Sequence, residues 1–171
     1  MSKSKRIDPS QVAGVTGSLY PAPFDEPCRT RERRKLGDAA GLTEFGVNLL
    51  RLPPNSWSSQ RHWHERSDEF VYVLAGEVVV VSDGGEETLR AGECAGFKAN
   101  DGDGHCLQNR SGEDALVLEV GTRDFEDTAH YPDIDLVAHM SGKPALFTRR
   151  DGTPYPSAPR QGPEDKASEE K

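Results

Sequence analysis

The chain lacks long apolar runs, is poor in aromatic residues and carries only three cysteines, and each shortage excludes something. No apolar stretch approaches the ~20 residues of a membrane helix. The opening MSKSKRIDPSQVAG has none of the apolar character that heads a secretory signal. Cys28, Cys94 and Cys106 are odd in number and at no metal-binding spacing. They read as free thiols of a cytoplasmic protein rather than as a disulfide frame. A basic excess is missing too: 21 Lys and Arg stand against 29 Asp and Glu, a net charge of −8. That sign argues against nucleic acid and against a membrane surface as partners. Apolar residues make up 34% of 171 residues, low for a chain packed throughout, so one domain with polar flanks is expected.

Those flanks are visible in the composition. Residues 1–40 form a polar arm with YPAPFDEP and the basic run Arg29-Thr-Arg-Glu-Arg-Arg-Lys35, which reads as a solvated strand or arm. Residues 155–171 have almost no apolar side chain to bury and read as a disordered tail. Between them, residues 41–122 hold short apolar segments every eight to twelve residues. These are Phe45–Leu52, Trp57–Trp63, Glu69–Leu74, Glu77–Val81, Glu86–Leu89, Cys94–Phe97, His105–Asn109 and Ala115–Val120. Turn signals such as Pro53-Pro54-Asn55 and Asp83-Gly84-Gly85 separate them, and the pattern predicts an all-β sandwich or barrel. Residues 123–154 form an extension on that barrel, with one more strand expected around Tyr131–Ala138.

Chemistry concentrates in Gln60-Arg-His-Trp-His-Glu-Arg-Ser-Asp-Glu-Phe-Val-Tyr-Val-Leu-Ala-Gly76. His62 and His64, two apart on a strand, point to one face. Glu69 opens the next strand after a short connection that can fold it back beside them. Two imidazoles and a carboxylate suit a divalent first-row metal such as zinc, manganese, iron or nickel. His105 follows the turn Asn100-Asp-Gly-Asp-Gly104 and shares a strand face with Leu107 and Asn109. Strand parity turns Gln60 inward beside the histidines and lines a wall with Val71 and Val73. It turns Phe70, Tyr72 and Leu74 outward, points Trp63 away from the metal and leaves Cys106 as a buried thiol. Lys98 reaches the pocket mouth as a candidate anion holder, with Arg61 or Arg90 as further cations. Asp101 and Asp103 either gate the pocket or serve the turn, while His130 and His139 fit no pattern.

His62-x-His64, four residues, Glu69, six residues, Gly76 resembles the first motif of the cupins, and Gly92 to His105, three residues, Asn109 resembles the second. The leading glycine of the first motif falls on Asn55 or Ser56. In the second motif Lys98 and Asn100 replace the usual Pro and Gly, and the turn is two residues longer. The resemblance spans roughly residues 45–121. It implies a double-stranded β-helix, or jelly-roll barrel, and His62, His64, Glu69 and His105 as ligands of one divalent ion. It also implies a homodimer through an outer sheet face, where Phe70, Tyr72 and Leu74 would otherwise be wet.

Fold does not fix function, and cupins host many chemistries. The run from Gln60 to Gly76, preceded by Leu36-Gly-Asp-Ala-Ala-Gly-Leu-Thr43, is similar to small bacterial cupins described as sugar-phosphate isomerases. The first expectation is therefore a metal-dependent enzyme acting on a small oxygenated substrate, a sugar or sugar phosphate. Gln60 and Lys98 are its candidate catalytic residues, and with Glu69 occupied as a ligand and Gln60 no base, metal-bound hydroxide is the candidate base. The alternatives are an iron-dependent dioxygenase and a non-enzymatic cupin that binds a small ligand.

Overall fold

The computed structural model describes residues 5–141 and 145–156. Apart from its first two residues, the tail expected from residue 155 lies outside the described residues. The short apolar segments form strands: β1 (Gly14–Thr16), β2 (Glu32–Lys35), β3 (Phe45–Leu52), β4 (Trp63–His64), β5 (Glu69–Ala75), β6 (Glu77–Ser82) and β7 (Gly85–Arg90). They continue with β8 (Cys94–Phe97), β9 (Cys106–Gln108), β10 (Ala115–Thr122), β11 (Thr128–Tyr131), β12 (Leu136–His139) and β13 (Leu146–Thr148). One short helix, α1 (Leu36–Ala40), joins β2 to β3. No described helix is long and apolar enough to cross a membrane.

Three antiparallel sheets result, with orders β1-β2-β3-β10-β5-β8, β7-β6-β9 and β13-β12-β11-β4. The first two face each other across a core of Leu50, Leu52, Val71, Val73, Val78, Val80, Leu107, Ala115 and Val117. Alternation on β5 places Val71 and Val73 in that core and leaves Phe70, Tyr72 and Leu74 exposed, as the period-2 pattern requires. A second cluster, Tyr20, Cys28, Ala129, Tyr131, Leu136 and Ala138, joins the N-terminal arm to the third sheet. The arm is thus built into the fold: β2 pairs with β3 from Glu32↔Arg51 to Lys35↔Asn48.

Two elements depart from expectation. The strand expected over Trp57–Trp63 shrinks to β4, because this serine-rich stretch uses hydroxyls where a strand would use its ladder. Ser56 Oγ donates to the Pro53 carbonyl, and Ser58 Oγ accepts from the Leu107 N–H. The single strand expected around Tyr131–Ala138 is two strands, β11 and β12, paired from Thr128↔His139 to Tyr131↔Leu136 about the turn Pro132-Asp-Ile-Asp135.

Both motif departures that replace glycine are conformationally sound. Asn55 and Asn100 take φ of 62° and 59°, the left-handed region that asparagine tolerates better than other residues with a Cβ. Gly76 cannot be substituted so easily. Its φ is 74°, and a Cβ there would lie 2.7 Å from the Asp114 carbonyl oxygen.

Candidate metal centre

Backbone pairing brings the second motif to the first. His62 and His105 form an isolated antiparallel bridge in which each N–H donates to the other's carbonyl, at 3.0 and 2.8 Å. Glu69, the first residue of β5, completes the cluster. Its Oε2 lies 2.9 Å from His105 Nε2, 3.7 Å from His62 Nε2 and 3.8 Å from His64 Nε2. The donor atoms of His62, Glu69 and His105 fall within 4.8 Å of one another, a group able to hold a metal ion. His64 faces the same carboxylate oxygen from just outside that compact trio.

For His62 and His64 a partner on Nδ1 leaves Nε2 to face the cluster. His62 Nδ1 is 3.0 Å from the Gln60 carbonyl oxygen, which only accepts, so Nδ1 carries the proton and Nε2 keeps its lone pair. His64 Nδ1 is 2.7 Å from Asp127 Oδ2, the carboxylate–histidine arrangement that orients metal-binding imidazoles. Asp127 is buried and itself anchored by the backbone N–H groups of Arg66 and Thr128. His105 Nδ1 has no hydrogen-bond partner; instead the Phe97 ring stacks on the imidazole, centroids 3.5 Å apart and 1° from parallel. Tyr131 stacks on His62 at 5.6 Å.

Protonation follows from these contacts. Burial pushes His62 down to about 4, against the pull of Glu69, so it is neutral and a competent donor at neutral pH. For His64, burial also acts downward, but the hydrogen bond to Asp127 and the charge of Glu69 outweigh it and the net shift is upward. Burial would raise Glu69; its hydrogen bond to His105 and the surrounding histidines hold it well below the usual carboxylate range. An anionic carboxylate with the Nε2 atoms of His62, His64 and His105 turned toward it is a donor set that fits a divalent first-row metal.

The cluster opens into a cavity of about 1100 Å3. The residues expected at its mouth are elsewhere. Gln60 is not among the lining residues; its Nε2 donates to the Phe24 carbonyl at 2.6 Å, so its amide clasps the arm. Strand parity fails there because β4 begins only at Trp63. Lys98 is exposed and does not line the cavity, since it stands on the lengthened turn after β8. Arg61 is held by Asp133 and Asp83, and Arg90 lies near Glu77 outside the cavity. Asp103 accepts from the Asp83 N–H and Asp101 from the Asp103 N–H, which is turn chemistry rather than a gate. Trp63 packs on His130, their ring centroids 4.4 Å apart, and Cys106 is buried, both as expected.

The cations that do line the cavity come from the arm: Arg29, Arg31, Arg33 and Lys35, with Arg123 opposite. Their signal was available in the sequence, because residues 29, 31, 33 and 35 alternate and an extended segment puts all four on one face. Asp127, Tyr20 and Tyr131 carry no such pattern, and only the folded chain brings them to the cavity.

Comparison with known proteins accords with this architecture. The cupin domain family matches residues 48–121. A protein from Silicibacter pomeroyi DSS-3, described with its crystal structure as a sugar phosphate isomerase from a cupin superfamily, is 42% identical. The match covers 88% of this chain and 96% of that one, with a TM-score of 0.83. The polyketide cyclase RemF from Streptomyces resistomycificus shares the fold at 23% identity and a TM-score of 0.58, over 72% of this chain and 81% of that one. So does a Thermotoga maritima protein described as a predicted oxalate decarboxylase, at 22% identity and a TM-score of 0.56, over 68% and 97%. Curated proteins give no match. The chain belongs to the cupin superfamily.

Proposed function

We propose that this cupin is a metal-dependent isomerase of a sugar or sugar phosphate. The observation that carries the reading is the 42% identity to the Silicibacter pomeroyi protein, which extends over 88% of the chain and so beyond the 48–121 domain. The donor set supports it. His62, His64, Glu69 and His105 would hold one divalent ion, which when bound supplies a Lewis acid that polarises a substrate carbonyl. Around that ion the chain's own groups orient and protect. Asp127 fixes the ring of His64, and Phe97 and Tyr131 cover the faces of His105 and His62. Burial raises Tyr20 and Tyr131 above the usual phenol range, so both hydroxyls stay protonated and act as hydrogen-bond donors rather than bases. Free thiols at Cys28, Cys94 and Cys106 accord with a cytoplasmic setting.

Protein loaded in turn with manganese, zinc, nickel and iron, given a panel of aldose and ketose phosphates and followed by NMR, should show aldose–ketose interconversion with at least one metal. No interconversion with any of the four, together with oxygen consumption by the iron form, would favour a dioxygenase instead. We also propose a homodimer, in which the outward row Phe70, Tyr72 and Leu74 is covered by a second copy. Light scattering at micromolar concentration should give twice the chain mass; a monomeric mass would contradict it.

A further inference from the structure

We propose that Arg31, together with Ser18 and Tyr20, forms the subsite for the phosphate group of a phosphate-monoester substrate, in the same cavity as the metal centre. The proposal rests on the isomerase reading for the idea that the substrate carries such a group. The chain's own unmatched charge supports it independently.

The cavity cations separate by partner. Arg29 pairs with Asp25 at 2.7 Å, Arg33 with Glu119 at 2.7 Å, and Arg123 with Asp38. On the acidic side, Asp127 is engaged by His64 and Glu69 by the histidine cluster. Arg31 has no carboxylate within ion-pair distance among the described residues. It is 7% exposed, and among the described residues its side chain makes one hydrogen bond, from Nε to the Gly17 carbonyl at 3.1 Å. A guanidinium offers five N–H donors and stays charged even when buried. Charged side chains are rarely buried this deeply without a counter-charge, least of all in a chain of net charge −8.

The surroundings add donors, while the nearby cavity carboxylates Asp25, Glu119 and Asp38 are paired with Arg29, Arg33 and Arg123. Gly17 is fastened to Arg31 a second time, by its N–H to the Arg31 carbonyl at 2.9 Å, and the next residue, Ser18, has a buried Oγ with no hydrogen-bond partner. Tyr20 Oη accepts from Tyr131 Oη at 3.4 Å, which leaves the proton of Tyr20 to donate elsewhere. Ser18, Tyr20 and Arg31 all line the cavity. A guanidinium and two hydroxyls lining one cavity suit an oxyanion with several acceptor oxygens, as a phosphate monoester has. A substrate held there by its phosphate would direct its other end toward the histidine cluster in the same cavity.

The test uses the full-length chain as purified, with inorganic phosphate as probe, read by calorimetry and by the shift in melting temperature. Sodium chloride of equal ionic strength serves as the control. Saturable phosphate binding is expected in the wild type. Loss of a charge-assisted pair predicts binding at least ~10-fold weaker in Arg31→Gln, with a smaller loss in Ser18→Ala. Arg29→Gln, whose arginine is already matched by Asp25, should bind as the wild type does. Because the metal could itself take phosphate, His62→Ala/His64→Ala is run in parallel and should retain the Arg31-dependent binding. Absence of saturable binding in the wild type, or equal binding by Arg31→Gln and wild type, would overturn the subsite. Arg31-dependent binding of acetate in place of phosphate would overturn the phosphate assignment. If Arg31→Gln does not fold, Ser18→Ala and Arg31→Lys decide: undiminished phosphate binding in both refutes the proposal. Phosphate binding that meets these expectations without any sugar-phosphate interconversion would sink only the isomerase reading.

Discussion

The cavity has two halves, and they come from different parts of the chain. His62, His64, Glu69 and His105 lie inside the 48–121 cupin domain, and the three histidines converge on one Glu69 carboxylate oxygen. Ser18, Tyr20 and Arg31 on one side, and Asp127 and Tyr131 on the other, lie in the flanks outside that domain. The flank half carries Arg31, which has no ion-pair partner among the described residues. The difference teaches a division of labour. The barrel supplies a cluster able to hold a metal ion, while the flanks outside the 48–121 domain line the rest of the cavity. The cluster of Tyr20, Cys28, Ala129, Tyr131, Leu136 and Ala138 is what fastens the two flanks together.

If the flanks are part of one cooperative unit with the barrel, the largest effects should come from their cores equally. Leu50 in the barrel and Leu136 in the flank cluster are both fully buried. Either one changed to alanine should cost ~2–5 kcal/mol in denaturant unfolding, with a single transition retained. A Leu136→Ala protein that shows an early separate transition, the barrel melting as before, would mean the second half of the cavity is only loosely attached. Next in size, Asp127→Asn should weaken metal affinity by ~10–100-fold, because the flank orients His64 through that carboxylate. Unchanged affinity in a competition titration would show that the barrel holds the ion unaided. Smaller still, Asn100→Ala should cost ~1–2 kcal/mol at its φ of 59°, while Asn100→Gly should be nearly neutral. Equal melting temperatures for the two variants would remove the conformational account of that departure from the cupin motif.

The barrel was legible because its signal is local. Alternation within β5 separates Val71 and Val73 from Phe70, Tyr72 and Leu74, and β3 and β8 have the bounds their apolar segments suggest. His62, His64, Glu69 and His105 were legible because motif spacing, not distant contact, defines them. Parity misplaces Gln60 because no strand runs through the serine-rich stretch to enforce it, and Lys98 stands on the turn after β8, where its side chain is exposed. Arg31 was overlooked for a different reason. A run of charges in a polar arm reads as solvated until the arm is seen to hydrogen-bond into the sheet as β2, which turns alternate residues inward. Asp127 has no sequence signature at all, since its role depends on the pairing of Ala129 with His64, far apart in the chain, in the β11–β4 ladder.

The most direct test of the account is the metal content of the purified protein. Elemental analysis should find one divalent first-row metal per chain in the wild type and near-complete loss in His62→Ala/His64→Ala, with the fold retained by circular dichroism. Full metal occupancy in that double variant would contradict a centre built from His62, His64, Glu69 and His105.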